Sequence, residues 1–136
     1  MTRRFFVLLA LAGSAVAATP ALAATFGAVP ATLTVERPRR VTEVELSSLD
    51  ARRVIFDVSV RRGESGEDVA ASSDVVVVPP IFSLAPYGVV VVRIAFRSPP
   101  PAGEEHYRVV ATEVISPVEQ RAGRVPRTVV VPLTRR

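Results

Sequence analysis

The side chains able to do acid–base chemistry crowd into one short stretch. His106 is the single histidine, and it follows Glu104 and Glu105 directly. A histidine beside carboxylates is raw material for general-base catalysis, but that chemistry also needs a partner placed to orient the ring. Adjacent glutamates on extended backbone point to opposite faces, so the two cannot share a proton or a metal ion. No serine sits in a nucleophile-elbow turn, no glycine-rich phosphate loop is present, and no His/Asp/Glu set has metal-ligand spacing. The absence of cysteine excludes thiolate metal sites, cysteine nucleophiles and disulfides. His106 therefore reads as a solvated loop histidine. The sequence predicts a non-enzymatic protein without catalytic residues, cofactor or metal, which acts through backbone and apolar surface.

Charge narrows the partners. All 17 basic residues are arginine, the formal net charge is +4 and the isoelectric point is near 10.9. The excess collects late, at Arg121, Arg124, Arg127, Arg135 and Arg136, with no acid among them. No aromatic platform interleaves with these arginines to stack bases, so nucleic-acid binding is not expected. Charge on a terminal strand is also the ordinary protection of a sheet edge.

The first residues read as a leader. Arg3-Arg4 precede an apolar run from Phe5 to Ala18, and Ala21-Leu22-Ala23 is an A-x-A cleavage site. This predicts a signal peptide over residues 1–23, cleavage before Ala24, and a periplasmic protein. The apolar run is too short and wrongly flanked for stable membrane insertion. What remains, residues 24–136, is of single-domain size and must hold together by packing alone.

The elements that would position any site are all short and β-like. The central unit is Asp74 to Arg97, two β-branched runs joined by a bend. Pro79-Pro80 has no N–H to give a ladder, and Pro86-Tyr87-Gly88 is a turn with Gly88 free for positive φ. Val90, Val92, Ile94 and Phe96 share one face of the second run. Arg52 to Arg62 alternates most clearly, with Val54, Phe56, Val58 and Val60 inward. Thr42, Val44 and Leu46 form one face of an earlier strand. Phe26 to Val35, interrupted by Pro30, suits an edge, and Val69 to Ser73 suits a short edge piece. Tyr107 to Ile115 and Arg127 to Thr134 complete the set, with Ser116 to Pro126 a loop. About seven short strands at regular spacing predict an all-β, antiparallel immunoglobulin-like sandwich with Greek-key connections.

The block Pro79-Pro80-Ile81-Phe82-Ser83-Leu84-Ala85-Pro86, then Val92-Arg93-Ile94, Tyr107-Arg108 and Glu113-Val114, carries a resemblance. It resembles the N-terminal immunoglobulin-like domain of the PapD-like periplasmic pilus-assembly chaperones. The resemblance covers nearly all of residues 24–136, and the proline–phenylalanine block is its most specific part. It implies a chaperone that binds pilus or fimbrial subunits by lending them its last strand, with delivery to an outer-membrane usher. On that reading Val129, Val131 and Leu133 are the donor-strand residues, with Val130 on the opposite face. They would be partly exposed in the free chain, and the strand would invite an edge-to-edge homodimer. Arg93 and Glu113 match a charged pair of the family, and Arg135 or Arg136 is the candidate carboxylate anchor. Thr32 stands where the family has a basic anchor, there is no lysine, and the family has a second sandwich domain. The alternative is a stand-alone envelope binding module, or a remnant of a two-domain chaperone without subunit delivery.

Overall fold

The computed structural model describes residues 25–63 and 74–136. In chain order the strands are β1 (Phe26–Val29), β2 (Leu33–Val35), β3 (Val41–Ser48), β4 (Val54–Arg62), β5 (Val75–Val78), β6 (Ile81–Leu84), β7 (Val89–Phe96) and β8 (Glu105–Glu113). The helix α1 (Pro117–Arg121) and the strand β9 (Thr128–Arg135) follow. They form a sandwich of two sheets, ordered β1-β3-β7-β5 and β2-β9-β8-β4-β6. The predicted leader and the piece at Val69 to Ser73 lie outside the described residues.

Among the described residues, nine strands arise from seven expected segments because two segments cross between sheets. The chain leaves the first sheet after Val29, passes cis Pro30, and joins the second as β2. It does the same between β5 and β6, where Val78–Pro79 is cis. Proline suits each break because it cannot donate to a ladder. The central unit is thus shared: β5 pairs with β7, while β6 pairs with β4 in the opposite sheet. One pairing departs from the expectation of purely antiparallel sheets, because β2 runs parallel to β9.

Alternation builds the core as expected. Val54, Phe56, Val58 and Val60 are buried, as are Val92, Ile94, Phe96, Val44 and Leu46. Phe56 is packed edge-on by Phe26 at 4.9 Å between ring centroids and lies 6.0 Å from Phe82. The turn before β7 differs in one detail: Tyr87, at φ 55°, takes the positive angle. Gly88 is needed for space, since a Cβ there would meet the Ala85 carbonyl oxygen at 2.8 Å.

Candidate functional site

His106 is the second residue of β8, on the outer face of the five-stranded sheet and opposite Thr134, and so not in the loop expected of it. Its Nε2 is 3.4 Å from Glu104 Oε1, and its Nδ1 is 3.5 Å from Thr134 Oγ1. Among the described residues, no group of three or more His, Cys, Asp or Glu side chains could hold a metal.

The predicted donor strand has a different orientation from that expected. Val131 and Leu133 are 2% and 1% exposed, and Val129 packs partly buried against the same core. This face completes the domain's own sandwich, so the expected partial exposure in the free chain is overturned. The side chains that face out are Thr128, Val130 and Pro132, with Val130 48% exposed. A period of two cannot say which face is inward when both faces carry valine; the partner strands decide it.

Nor is β9 a bare edge. On one side it pairs with β8 along its whole length, Thr128 to Arg135. On the other, β2 pairs only with Leu133 to Arg135. The Glu113 N–H donates to the Arg127 carbonyl, and the Arg136 N–H to that of Val35, which fixes the phase of both ladders. Val129, Val131 and Leu133 therefore exchange bonds with β8, while Thr128, Val130 and Pro132 turn their backbone groups the other way. Pro132 has no N–H, and the parallel register sets its carbonyl against the Leu33 N–H, so the open groups are those of Thr128 and Val130. On the outer face over β8 and β9 lies a depression of about 410 Å³, lined by residues that include His106, Arg108, Val130 and Pro132.

The two halves of the expected charged pair are apart. Arg93, on β7, donates to Glu43 at 2.7 and 2.9 Å on the exposed face of the first sheet. Glu113 ends β8 in the second sheet, its side chain 3% exposed. It accepts from Arg127 Nε at 2.6 Å and from Arg124. Arg127 also donates to Asp50 at 2.9 Å and lies over the Phe26 ring, 4.5 Å from its centroid. Burial opposes ionisation of Glu113. The hydrogen bonds and charge of Arg127, with the charge of Arg124, outweigh it and hold the carboxyl below its ordinary value. The hydrogen bond to Glu113 likewise raises Arg127.

The two candidate anchors also separate. Arg135 is 2% exposed and engaged with Ser98 and Asp74, so it is not free to take a ligand carboxylate. Arg136 is exposed, with its Nη2 3.5 Å from Glu36 Oε1. Its N–H donates to the Val35 carbonyl and its C=O accepts from the Arg37 N–H, so its backbone is tied to the segment around β2 just past β9.

Sequence reasoning missed the helix α1, though its signal was present. Ser116 and Glu119 form a capping box around Pro117, with the Ser116 Oγ accepting from the Glu119 N–H at 3.2 Å and the Ser116 N–H donating back at 2.8 Å. Arg124 ties Glu119 to Glu113, so the helix delivers a second guanidinium to the buried carboxylate.

Residues 28–136 match the family model described as pili and flagellar-assembly chaperone, PapD N-terminal domain. No curated protein sequence matches the chain. Among solved structures, the periplasmic chaperone SfaE matches with a TM-score of 0.64 at 11% identity, over 80% of this chain and 56% of its own. The complex of CsuC with the tip adhesion subunit CsuE, from archaic chaperone-usher pili of Acinetobacter baumannii, gives 0.64 at 17% identity over 82% and 56%. The Salmonella enterica SafA pilin in complex with the SafB chaperone gives 0.64 at 15% identity over 80% and 52%. The chain thus spans about half the length of the solved chains it matches. At such identities these likenesses carry the fold, an immunoglobulin-like sandwich. The family match over residues 28–136 carries more: the chain belongs to the pili and flagellar-assembly chaperones, in the part equivalent to the PapD N-terminal domain.

Proposed function

We propose that this domain holds a pilus or fimbrial subunit in the periplasm by strand addition along β9, without catalysis. The observation that carries the reading is the half-open edge of β9, where Thr128 and Val130 present backbone groups that β2 does not reach. An incoming extended segment would take main-chain bonds there and set its side chains against alternate outward residues. Val129, Val131 and Leu133 then act indirectly, by anchoring β9 in its own core. Val130 and Pro132 supply the outward contact, and Arg136 is the remaining candidate carboxylate anchor. The leader would export the chain, with cleavage before Ala24, and an outer-membrane usher would receive the loaded complex.

One observation favours the second reading, a stand-alone binding module. Outward from β9 point Thr128, Val130, Pro132 and Thr134, a sparse apolar set for filling a subunit's core. Co-purification with a strand-deficient subunit separates the two. Val130→Glu puts a charge at the open edge and is expected to cut capture about tenfold or more with little change in melting temperature. Val110→Glu, on the same face of β8 but off the edge, is the control. Capture by Val130→Glu at wild-type level would refute strand addition here. No capture by the wild type would leave the stand-alone module.

A further inference from the structure

Four consecutive valines form β5, and the fold sets this strand at the outer edge of the four-stranded sheet. Sheet edges are ordinarily guarded by a charge, a proline or a bulge within the strand. Val75 to Val78 contain no charge and no proline; the strand is short, and Pro79 follows it. The Arg97 N–H donates to the Asp74 carbonyl, which sets the phase of the ladder. Val76 and Val78 therefore exchange bonds with Ala95 and Arg93 of β7. Val75 and Val77 aim their N–H and C=O groups away from the sheet. Among the described residues no strand pairs with that edge.

We propose that this edge binds a second copy of the chain, β5 against β5 antiparallel, about a two-fold axis through Val76. In that register Val75 of each copy faces Val77 of the other, and each such pair exchanges both bonds. Every outward backbone group of the strand is then satisfied. A shift by two residues toward the C-terminus would set Val75 against Pro79, which has no N–H. A shift by one would put core-facing side chains against outward ones. The side chains agree with the symmetric register. Val75 and Val77 already pack, partly buried, on the core, and the copy's Val77 and Val75 would cover their open side. On the outer face Val41, Ala95 and Val76 lie abreast across β3, β7 and β5. That apolar row would run on into the copy, joining the two sheets into one.

The sequence expectation of edge-to-edge pairing at the last strand is thereby relocated. β9 is half covered by β2 and interrupted by Pro132, whereas β5 is uninterrupted. One short strand from each copy buries far less than the roughly 800 Å² per partner of a standard interface. The dimer is accordingly weak and concentration-dependent. It rests on the geometry of β5 and is independent of the chaperone reading.

The chain has no cysteine, so Val76→Cys places a single thiol at the axis. Opposed residues of a non-hydrogen-bonded antiparallel pair lie about 4.5 Å apart at Cα, within disulfide reach. Mild oxidation of purified Val76→Cys protein is expected to yield covalent dimer at least about tenfold faster than Val130→Cys, placed at the β9 edge. In sedimentation velocity from about 10 µM to about 1 mM, the wild type should move toward dimer. Val76→Lys, which opposes two like charges at the axis, should stay monomeric with its fold intact. A wild type that is monomeric throughout, dimerisation of Val76→Lys at wild-type level, or equal cross-linking at position 130 overturns the proposal. If Val76→Lys fails to fold, the cysteine pair still decides, since Val→Cys is a small change.

Discussion

Glu113 and Arg135 close opposite ends of one ladder, the pairing of β8 with β9, and each is a buried charge. The chain neutralises them by different means. Glu113 is met by two guanidiniums from the segment between β8 and β9, and one of these also holds Asp50. Arg135 has one carboxylate nearby, with Asp74 Oδ2 at 3.6 Å, and relies mainly on neutral acceptors, the Ser98 hydroxyl and carbonyl. Its guanidinium also lies over Phe96, 4.4 Å from the ring centroid, and its Nε has no partner. A carboxylate concentrates its charge on two oxygens and needs cations or several N–H groups when dry. A guanidinium spreads its charge over a weakly hydrated plane, which a ring face and a carbonyl accommodate. One end of the domain is therefore held by charge and the other largely by packing.

The sharpest way to break this contrast is to remove the carboxylate. Glu113→Ala leaves Arg124 and Arg127 aimed at each other across a vacated site. Both guanidiniums are about a third exposed or less, so they relax partly toward water. The expected loss is about 3 kcal/mol, at the low end for breaking a buried pair. Urea denaturation measures it, and a loss under about 1 kcal/mol would mean that the cluster is ornamental.

Removing the opposite charge should matter less. Arg135→Met keeps most of the volume over Phe96 and eliminates the unsatisfied Nε. Asp74 retains the Ser98 N–H at 2.6 Å. Replacement of a buried charge by an apolar side chain of similar size is often close to neutral, so the expected cost is about 1 kcal/mol or less. A cost equal to that of Glu113→Ala would abolish the distinction between the ends.

The sequence made the sandwich legible where one face was apolar and the other charged. Val54 to Val60 alternates with Ile55, Asp57 and Ser59, and the wet side of β3 carries Glu43 and Glu45. Orientation failed at β9, where Val129, Val130 and Val131 offer no contrast between faces. The charged site was half legible. The resemblance points to Glu113, but its partners Arg124 and Arg127 arrive from a loop whose path depends on the Ser116–Glu119 cap. The resemblance sets Arg93 with Glu113, whereas sheet register, which local spacing does not encode, makes Glu43 its cross-strand neighbour. The buried state of Arg135 follows from Ser98 and Phe96, distant in sequence, and a terminal arginine gives no local sign of it.

Acid should expose the same contrast on a finer scale. Glu113 is held below its ordinary value of 4.5 because Arg127 and Arg124 outweigh its burial. Asp74 is held below 3.8, chiefly by the Ser98 hydroxyl and against its burial. A carboxyl whose folded pKa is depressed contributes stability above its unfolded pKa and loses it as pH falls through the folded one. The loss therefore begins near pH 4.5 for Glu113 and near 3.8 for Asp74. Asp50, beside Arg127, is also depressed, first by the Arg52 N–H and then by Arg127, which adds to the same end. Two amides report the two ends: that of Glu113, bonded to Arg127 at 2.8 Å, and that of Arg97, bonded to Asp74 at 2.8 Å. Hydrogen exchange corrected for intrinsic rates should show the Glu113 amide losing protection at the higher pH. Glu113→Gln, which cannot titrate, should remove that early step while leaving the later one at Arg97 in place. Loss of both in step would mean that the ends open as one cooperative unit. Loss at Arg97 first would place the charge-dependent end at Arg135.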